Sequence, residues 1–277
     1  MTKDPRYAKH AGDHLRAWFV NPKTRMNPNL EYAQGIHGIC LGTDSGIIDT
    51  LHLVEVARAT GFLNSEAVSK TEMQEVKQWF REYLKWMKAS KRGKDESETP
   101  NNHATCWALQ AAEFARLIGD QATRQQESHW FITTLLHNQL GLKGSFPQEL
   151  KRTKPYSYSI FNFDVMATLA QSLKGSGIDL TNFALSDSRG LCKAAQFLYP
   201  YLKDKNKWPY RADIEHFNAL PVRSPGLLFA GLACHRPEYI ALWKTLNPDP
   251  TDPEILDCWF QRAGGAGSMA GRVSCPR

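Results

Sequence analysis

The segment "TPNNHATCW", residues 99–107, sets two amides, an imidazole and an indole at the start of an apolar helical run. Asn101 reads as the N-cap, because its side-chain oxygen can accept a backbone N–H from the first turn. That leaves Asn102, His103 and Trp107 to be explained. His103 and Trp107 are four apart and share a helix face, with His103 near the partially positive N-terminus. A neutral imidazole beside an amide suits binding or proton transfer at a carboxylate. A second stretch, "GSFPQELKRTKPYSYSIFNFD" at 144–164, adds complementary groups. Arg152 offers a planar fork for a carboxylate, and Tyr156 and Tyr158 stand beside two serines where another helix should begin.

The elements that must carry these residues are helices almost throughout. Tyr7, Ala11, Leu15, Trp18 and Phe19 recur at helical spacing, and "NPKTRMNPN" should end that helix. Further apolar-periodic runs fall at about 46–60, 65–89, 103–118, 121–139, 157–174, 187–203, 224–234 and 236–246, with a short helix near 252–261. Strand signals are nearly absent. Short breakers such as "IGD", "KGSGID" and "HRPE" join the runs, so consecutive helices form antiparallel hairpins. The hairpins differ in length and carry no fixed repeat, which argues against a solenoid and for an all-α fold, an incomplete α/α toroid. Two long irregular connections, 21–46 and 141–156, are polar and of a length commonly given to function. The "GAGSMAGR" stretch reads as a flexible tail.

Composition narrows the partners. The 277 residues are 42% hydrophobic and 22% charged, ordinary for a globular chain, with formal net charge +6. Basic residues are scattered apart from "KASKRGK" at 88–94, so no nucleic-acid partner is expected, whereas a polymer of carboxylates suits such a surface. The longest apolar runs, such as "GLLFAGLAC" at 226–234, are too short to span a bilayer, and charges throughout residues 3–16 speak against a signal peptide. No membrane partner is expected, and the chain is taken as a monomer. The six cysteines, at 40, 106, 192, 234, 258 and 275, contain no C-x-x-C pair. They are read as buried free thiols rather than disulfides, and no metal site is expected.

Three stretches, "NNHATCWALQAAEFARLIGD", "GSFPQELKRTKPYSYSIFNFDVMATLA" and "MNPNLEYAQGIHG" with the following "GIIDT", together resemble the alginate lyase family, polysaccharide lyases of families 5 and 38. The likeness covers most of residues 5–210. It implies an incomplete α/α toroid with a deep cleft, cleavage of uronic-acid polysaccharides by β-elimination, no organic cofactor, and a secreted or periplasmic setting. Relatives carry additional helices ahead of "AGDHLRAWF", which this chain reaches by residue 11. The expectation is therefore a toroid domain over 1–262 lacking those helices, with 263–277 as tail.

β-Elimination explains the residue types. A uronate's C5 proton is weakly acidic while the neighbouring carboxylate is negative, so fixed donors must neutralise that carboxylate and stabilise the enolate-like intermediate. Asn102, Arg152 and His103 fit this role. A base then takes the C5 proton and an acid protonates the departing O4. In mannuronate and glucuronate both atoms lie on the same side of the ring, so one tyrosine can serve both steps if a cation stabilises its phenolate. Matched to the family pattern, Tyr158 is the catalytic tyrosine, with Tyr156 the second candidate and a substrate contact. His103 matches the family's histidine, as base or as neutraliser. Trp107 is a candidate sugar-stacking platform or core residue, and Gln34 and Arg25 are candidates to line the cleft from the first long connection. The substrate is expected to be a β-1,4-linked uronan, polymannuronate or glucuronan. The competing reading is a non-catalytic binder of acidic polysaccharide derived from such a lyase.

Overall fold

A computed structural model describes residues 4–252 and 255. Among these there are eleven α-helices and no named strand, only two isolated bridges, Ile36 with Cys40 and Ala184 with Gly190. The first helix, α1 (Pro5–Leu15), is capped by Asp4 and runs into a π turn, Arg16–Val20. A 3-10 turn, Asp44–Thr50, precedes α2 (Leu53–Ala59); then come α3 (Lys70–Ala89) and α4 (Lys91–Ser97). Helix α5 (Asn102–Ile118) is followed by α6 (Gln121–Trp130), a π turn over Phe131–Leu135, and α7 (Leu136–Gln139). After the second long connection come α8 (Pro155–Ser172), α9 (Leu191–Lys203), α10 (Pro225–Ala233) and α11 (Pro237–Thr245).

Local chemistry accounts for the boundaries. Helix α3 opens on a capping box, Ser69 with Glu72, and buries Val76, Trp79, Phe80, Tyr83, Leu84 and Met87 at helical spacing. Helix α5 closes on Gly119 at φ +78°, a left-handed position that glycine occupies without a Cβ penalty. Helices α5 and α8 are buried on nearly every face, which marks them as the interior elements. Helix α5 packs on α2, α3, α6 and α8; α8 packs on α9 and α10, and α10 on α11. Contacts between these helices thus follow one another in the order α3, α5, α8, α10. A single hydrophobic cluster fills the space between these helices.

Several expectations are corrected. Of the first helix face, Leu15 and Phe19 are buried, while Tyr7 and Trp18 stay exposed; the π turn changes the register in which Trp18 follows Leu15. The run 46–60 is divided between a 3-10 turn and α2, and the charged stretch around 91–97 forms its own helix, α4. Cys192 and Cys234 are joined in a disulfide and Cys40 is disulfide-bonded as well, and among the described residues Cys106 is a buried free thiol. The reason is tertiary: α9 and α10 bring Cys192 and Cys234 to a Cα separation of 5.7 Å. The expected tail, 263–277, and most of the short helix near 252–261 lie outside the described residues.

Candidate active site

The long connections are held to the helices by specific bonds. In the first, Trp79 donates its indole N–H to Met26 O (2.7 Å), Trp86 donates to Glu31 Oε1 (2.8 Å), and Arg92 donates to Gly42 O (2.7 Å). In the second, Phe146 is fully buried, and Gly144, at φ +85°, lies against Lys193 where a Cβ would fall 2.2 Å from the carbonyl oxygen. Both connections are thereby fixed in place before any substrate is considered.

At the start of α5 the Asn101 side chain accepts from His103 N (3.1 Å), the cap that its position suggested. Asn102 is almost wholly buried. Its backbone N–H donates to Glu149 Oε1 (2.7 Å) and its Nδ2 to Glu149 Oε2 (3.0 Å). Glu149, fully buried on the short 3-10 turn Glu149–Lys151, also accepts from Asn162 Nδ2 (2.9 Å) of α8. Asn162 donates in addition to Gln139 Oε1 (2.7 Å), whose own Nε2 donates to Asn101 O (2.7 Å). Burial pushes the Glu149 carboxyl above its ordinary range, opposed by the Asn102 donors and by the charge of Arg152. This buried knot ties the second connection and α8 to the N-terminus of α5.

His103 stands on one side of the knot. Its Nδ1 lies 2.8 Å from Glu96 Oε1 of α4, and the two side chains are 13% and 1% exposed. A carboxylate at Nδ1 fixes the ring and leaves Nε2 for a ligand. Burial raises the Glu96 carboxyl, with the bond to His103 acting against it. Asp49 is raised by burial too, and is held down by the Gln34 bond and by the charge of His103. Gln34 Nε2 donates to Asp49 Oδ1 (2.9 Å), which ties the first connection to the 3-10 turn Asp44–Thr50.

Arg152 and Tyr158 follow Glu149 along the chain. The guanidinium carbon lies 4.2 Å from the centroid of the Tyr158 ring, and among the described residues the side chain has no ion pair with a carboxylate. Both residues are half-buried. Arg152 is joined to the knot by its backbone N–H, which donates to Glu149 O (3.0 Å), and by its charge, which lowers the Glu149 carboxyl; His103 adjoins the knot as the chain neighbour of Asn102.

The remaining candidates are placed differently. Tyr156 is fully buried, its hydroxyl donates to Tyr201 O (2.9 Å), and Trp208 and Phe217 pack edge-on against its ring. It is an anchor for α8 and is corrected as a substrate contact. Residues two apart on a helix are about 200° apart, so burying Tyr156 turns Tyr158 the other way. Trp107 is 7% exposed and packs in the hydrophobic core, in line with the second of its two readings. Arg25 is exposed in its turn, and no contact joins it to the cluster.

Glu149, Glu96, Asp49 and Asn162 were not singled out by sequence reasoning. Glu149 lies in the same "ELKR" stretch as Arg152, and the (i, i+7) spacing of Glu96 and His103 is visible only once α4 is known to end between them. Three buried atoms beside the site, Glu96 Oε2, Asn102 Oδ1 and Asn162 Oδ1, lack a hydrogen-bond partner. Among the described residues no group of three His, Cys, Asp or Glu side chains could hold a metal ion, and no helix is long and apolar enough to cross a membrane.

The family model described as alginate lyase matches residues 1–208. Among solved structures, the crystal structure of an alginate lyase from Bacteroides ovatus is similar, with a TM-score of 0.80 and 27% sequence identity. The match covers 94% of this chain and 69% of that one. No curated protein matches.

Proposed function

The chain belongs to the alginate lyase family and is a polysaccharide lyase acting on an alginate-like substrate, and we propose that it cleaves a β-1,4-linked uronan, polymannuronate or glucuronan, at the cluster of Asn102, His103, Arg152 and Tyr158. The observation that supports this reading is the arginine over the ring of Tyr158, with Glu149 between it and Asn102, the chain neighbour of the Glu96-held His103. The His103 ring, held by Glu96, the remaining amide N–H of Asn102 and the Arg152 guanidinium bind and neutralise the uronate carboxylate. The Tyr158 oxygen, as phenolate, takes the C5 proton, and the electron pair moves into the C5–carboxylate system as an enolate-like intermediate. The C4–O4 bond then breaks, O4 leaves with the proton from Tyr158, and a C4–C5 double bond remains. The positive charge of Arg152 offsets the negative charge on the phenolic oxygen through these steps. His103 serves in this scheme as neutraliser, since the Glu96 bond fixes Nδ1 and directs Nε2 to a single ligand atom.

The Cys192–Cys234 disulfide supports a secreted or periplasmic location, because such bonds persist in oxidising compartments. The test is incubation with a panel of uronans while the ultraviolet absorbance of the C4–C5 double bond is followed. Rising absorbance with polymannuronate or glucuronan is expected. Binding without absorbance on every polymer would leave a non-catalytic polysaccharide binder in its place.

A further inference from the structure

The segment Trp208–Glu215, which begins fifty residues after Tyr158, grips the piece of chain that carries Arg152 and Tyr158. Helix α8 has no side-chain cap of its own: Lys154 precedes it and Pro155 fills its first position. The free first-turn donors are met from a distance. Asp213 Oδ1 accepts from Tyr156 N (2.8 Å) and Oδ2 from Ser157 N (2.9 Å), so one carboxylate spans two successive N–H groups directly ahead of Tyr158. Asp213 is itself only 7% exposed. Neighbours on both sides extend the grip: Arg211 Nη2 donates to Arg152 O (2.8 Å), Ile214 N to Thr153 O (3.3 Å), and Lys154 Nζ lies 3.5 Å from Glu215 Oε2. Trp208 closes it from beneath by packing on Tyr156.

From this geometry we infer that Asp213 is a positioning residue for the elimination: it sets where α8 begins and thereby where Tyr158 and Arg152 stand relative to the sugar. The inference rests on the lyase reading of that pair. Asp213 touches no reacting atom. Its effect passes through two backbone N–H groups to the next residue, and a displacement of about 1 Å in a proton-transferring group can cost on the order of 10² in rate.

The experiment compares Asp213→Ala, Asp213→Asn and Asp213→Ser with the parent, measuring kcat and KM on the uronan the parent cleaves and the thermal midpoint of each. Asp213→Ala should lower kcat by about 10–10²-fold per folded molecule, with a smaller rise in KM through the displaced Arg152. Asp213→Ser keeps one acceptor for a first-turn N–H and should recover part of the loss, whereas Asp213→Asn, which presents an NH₂ to one donor, should recover less. Asp120→Ala removes the cap of α6, where Asp120 accepts from Thr123 N (3.0 Å), and should lower the thermal midpoint without changing kcat. If the Asp213 variants behave like Asp120→Ala, the residue is merely structural and the inference is overturned. If Asp213→Ala does not fold, the ordering of the Ser and Asn variants in kcat decides in the same way. A parent that forms no double bond on any uronan refutes the lyase reading instead, so the two failures are distinguishable.

Discussion

Removing one oxygen atom from Tyr158 and one from Tyr156 should have opposite consequences, although the residues are two positions apart. Tyr158→Phe keeps the ring under the Arg152 guanidinium, 4.2 Å from its centroid, and deletes only the hydroxyl. Substrate affinity should change little, while kcat falls by about 10²–10⁴, the range that general acid–base groups supply, or roughly 2.7–5.4 kcal/mol of transition-state stabilisation. Tyr156→Phe deletes a hydroxyl that donates to Tyr201 O inside a fully buried aromatic box. The carbonyl loses its donor, which should cost about 1 kcal/mol of stability, or about 2–4 °C in thermal midpoint, with kcat unchanged. Initial rates from double-bond absorbance, together with thermal melts of both variants, give the four numbers required. Turnover lost in Tyr156→Phe and kept in Tyr158→Phe would exchange their roles, and turnover kept in both would end the tyrosine proton-transfer scheme.

Three further outcomes are expected. Arg152→Ala should raise KM and lower kcat together, by about 10–100-fold in kcat/KM, because a charged hydrogen bond to the carboxylate is lost in both ground and transition states; steady-state kinetics on the cleaved uronan checks this. Glu127 is buried with Oε2 unpartnered, and its carboxyl is pushed up to about 8 by burial, with Lys88 opposing. Since the folded value lies above the unfolded one, stability should fall as pH rises from about 4.5 to about 8, and Glu127→Gln should gain on the order of a few kcal/mol over the parent at pH 9 but not at pH 4, read from denaturant melts. Replacing both Cys192 and Cys234 by serine opens a loop of sequence separation 42 and should cost about 2–4 kcal/mol, measured by the same melts.

Much of the helical framework is legible in the sequence because it is written in local terms. The apolar spacing from Val76 to Met87 and the capping box at Ser69 and Glu72 are both short-range signals, and both appear in α3 as such. The same holds for Asn101 as a cap. What local terms do not carry is the hydrogen-bond pattern of the π turns at 16–20 and 131–135 or the pairing of cysteines. Those depend on which helix lies opposite, and a spacing of 42 residues says nothing about a Cα separation of 5.7 Å.

The candidate site divides along the same line. Asn102, His103, Arg152 and Tyr158 stand out because a short sequence places unusual side chains at helix starts. Their supports do not stand out, since each looks ordinary where it occurs. Glu96 sits in "KRGKDESE", a stretch that reads as a solvated surface, yet α4 buries it fully against His103. Asp213 lies in the aromatic stretch "WPYRADIEHFN", where nothing local marks it as a cap, yet its carboxylate accepts from the first turn of α8. In each case a carboxylate is withdrawn from water and paired with groups distant in sequence, at a desolvation cost that the pairing must offset. The residues that orient the chemistry are therefore the ones whose local sequence says least about them, and they become identifiable only when burial and partner are known together.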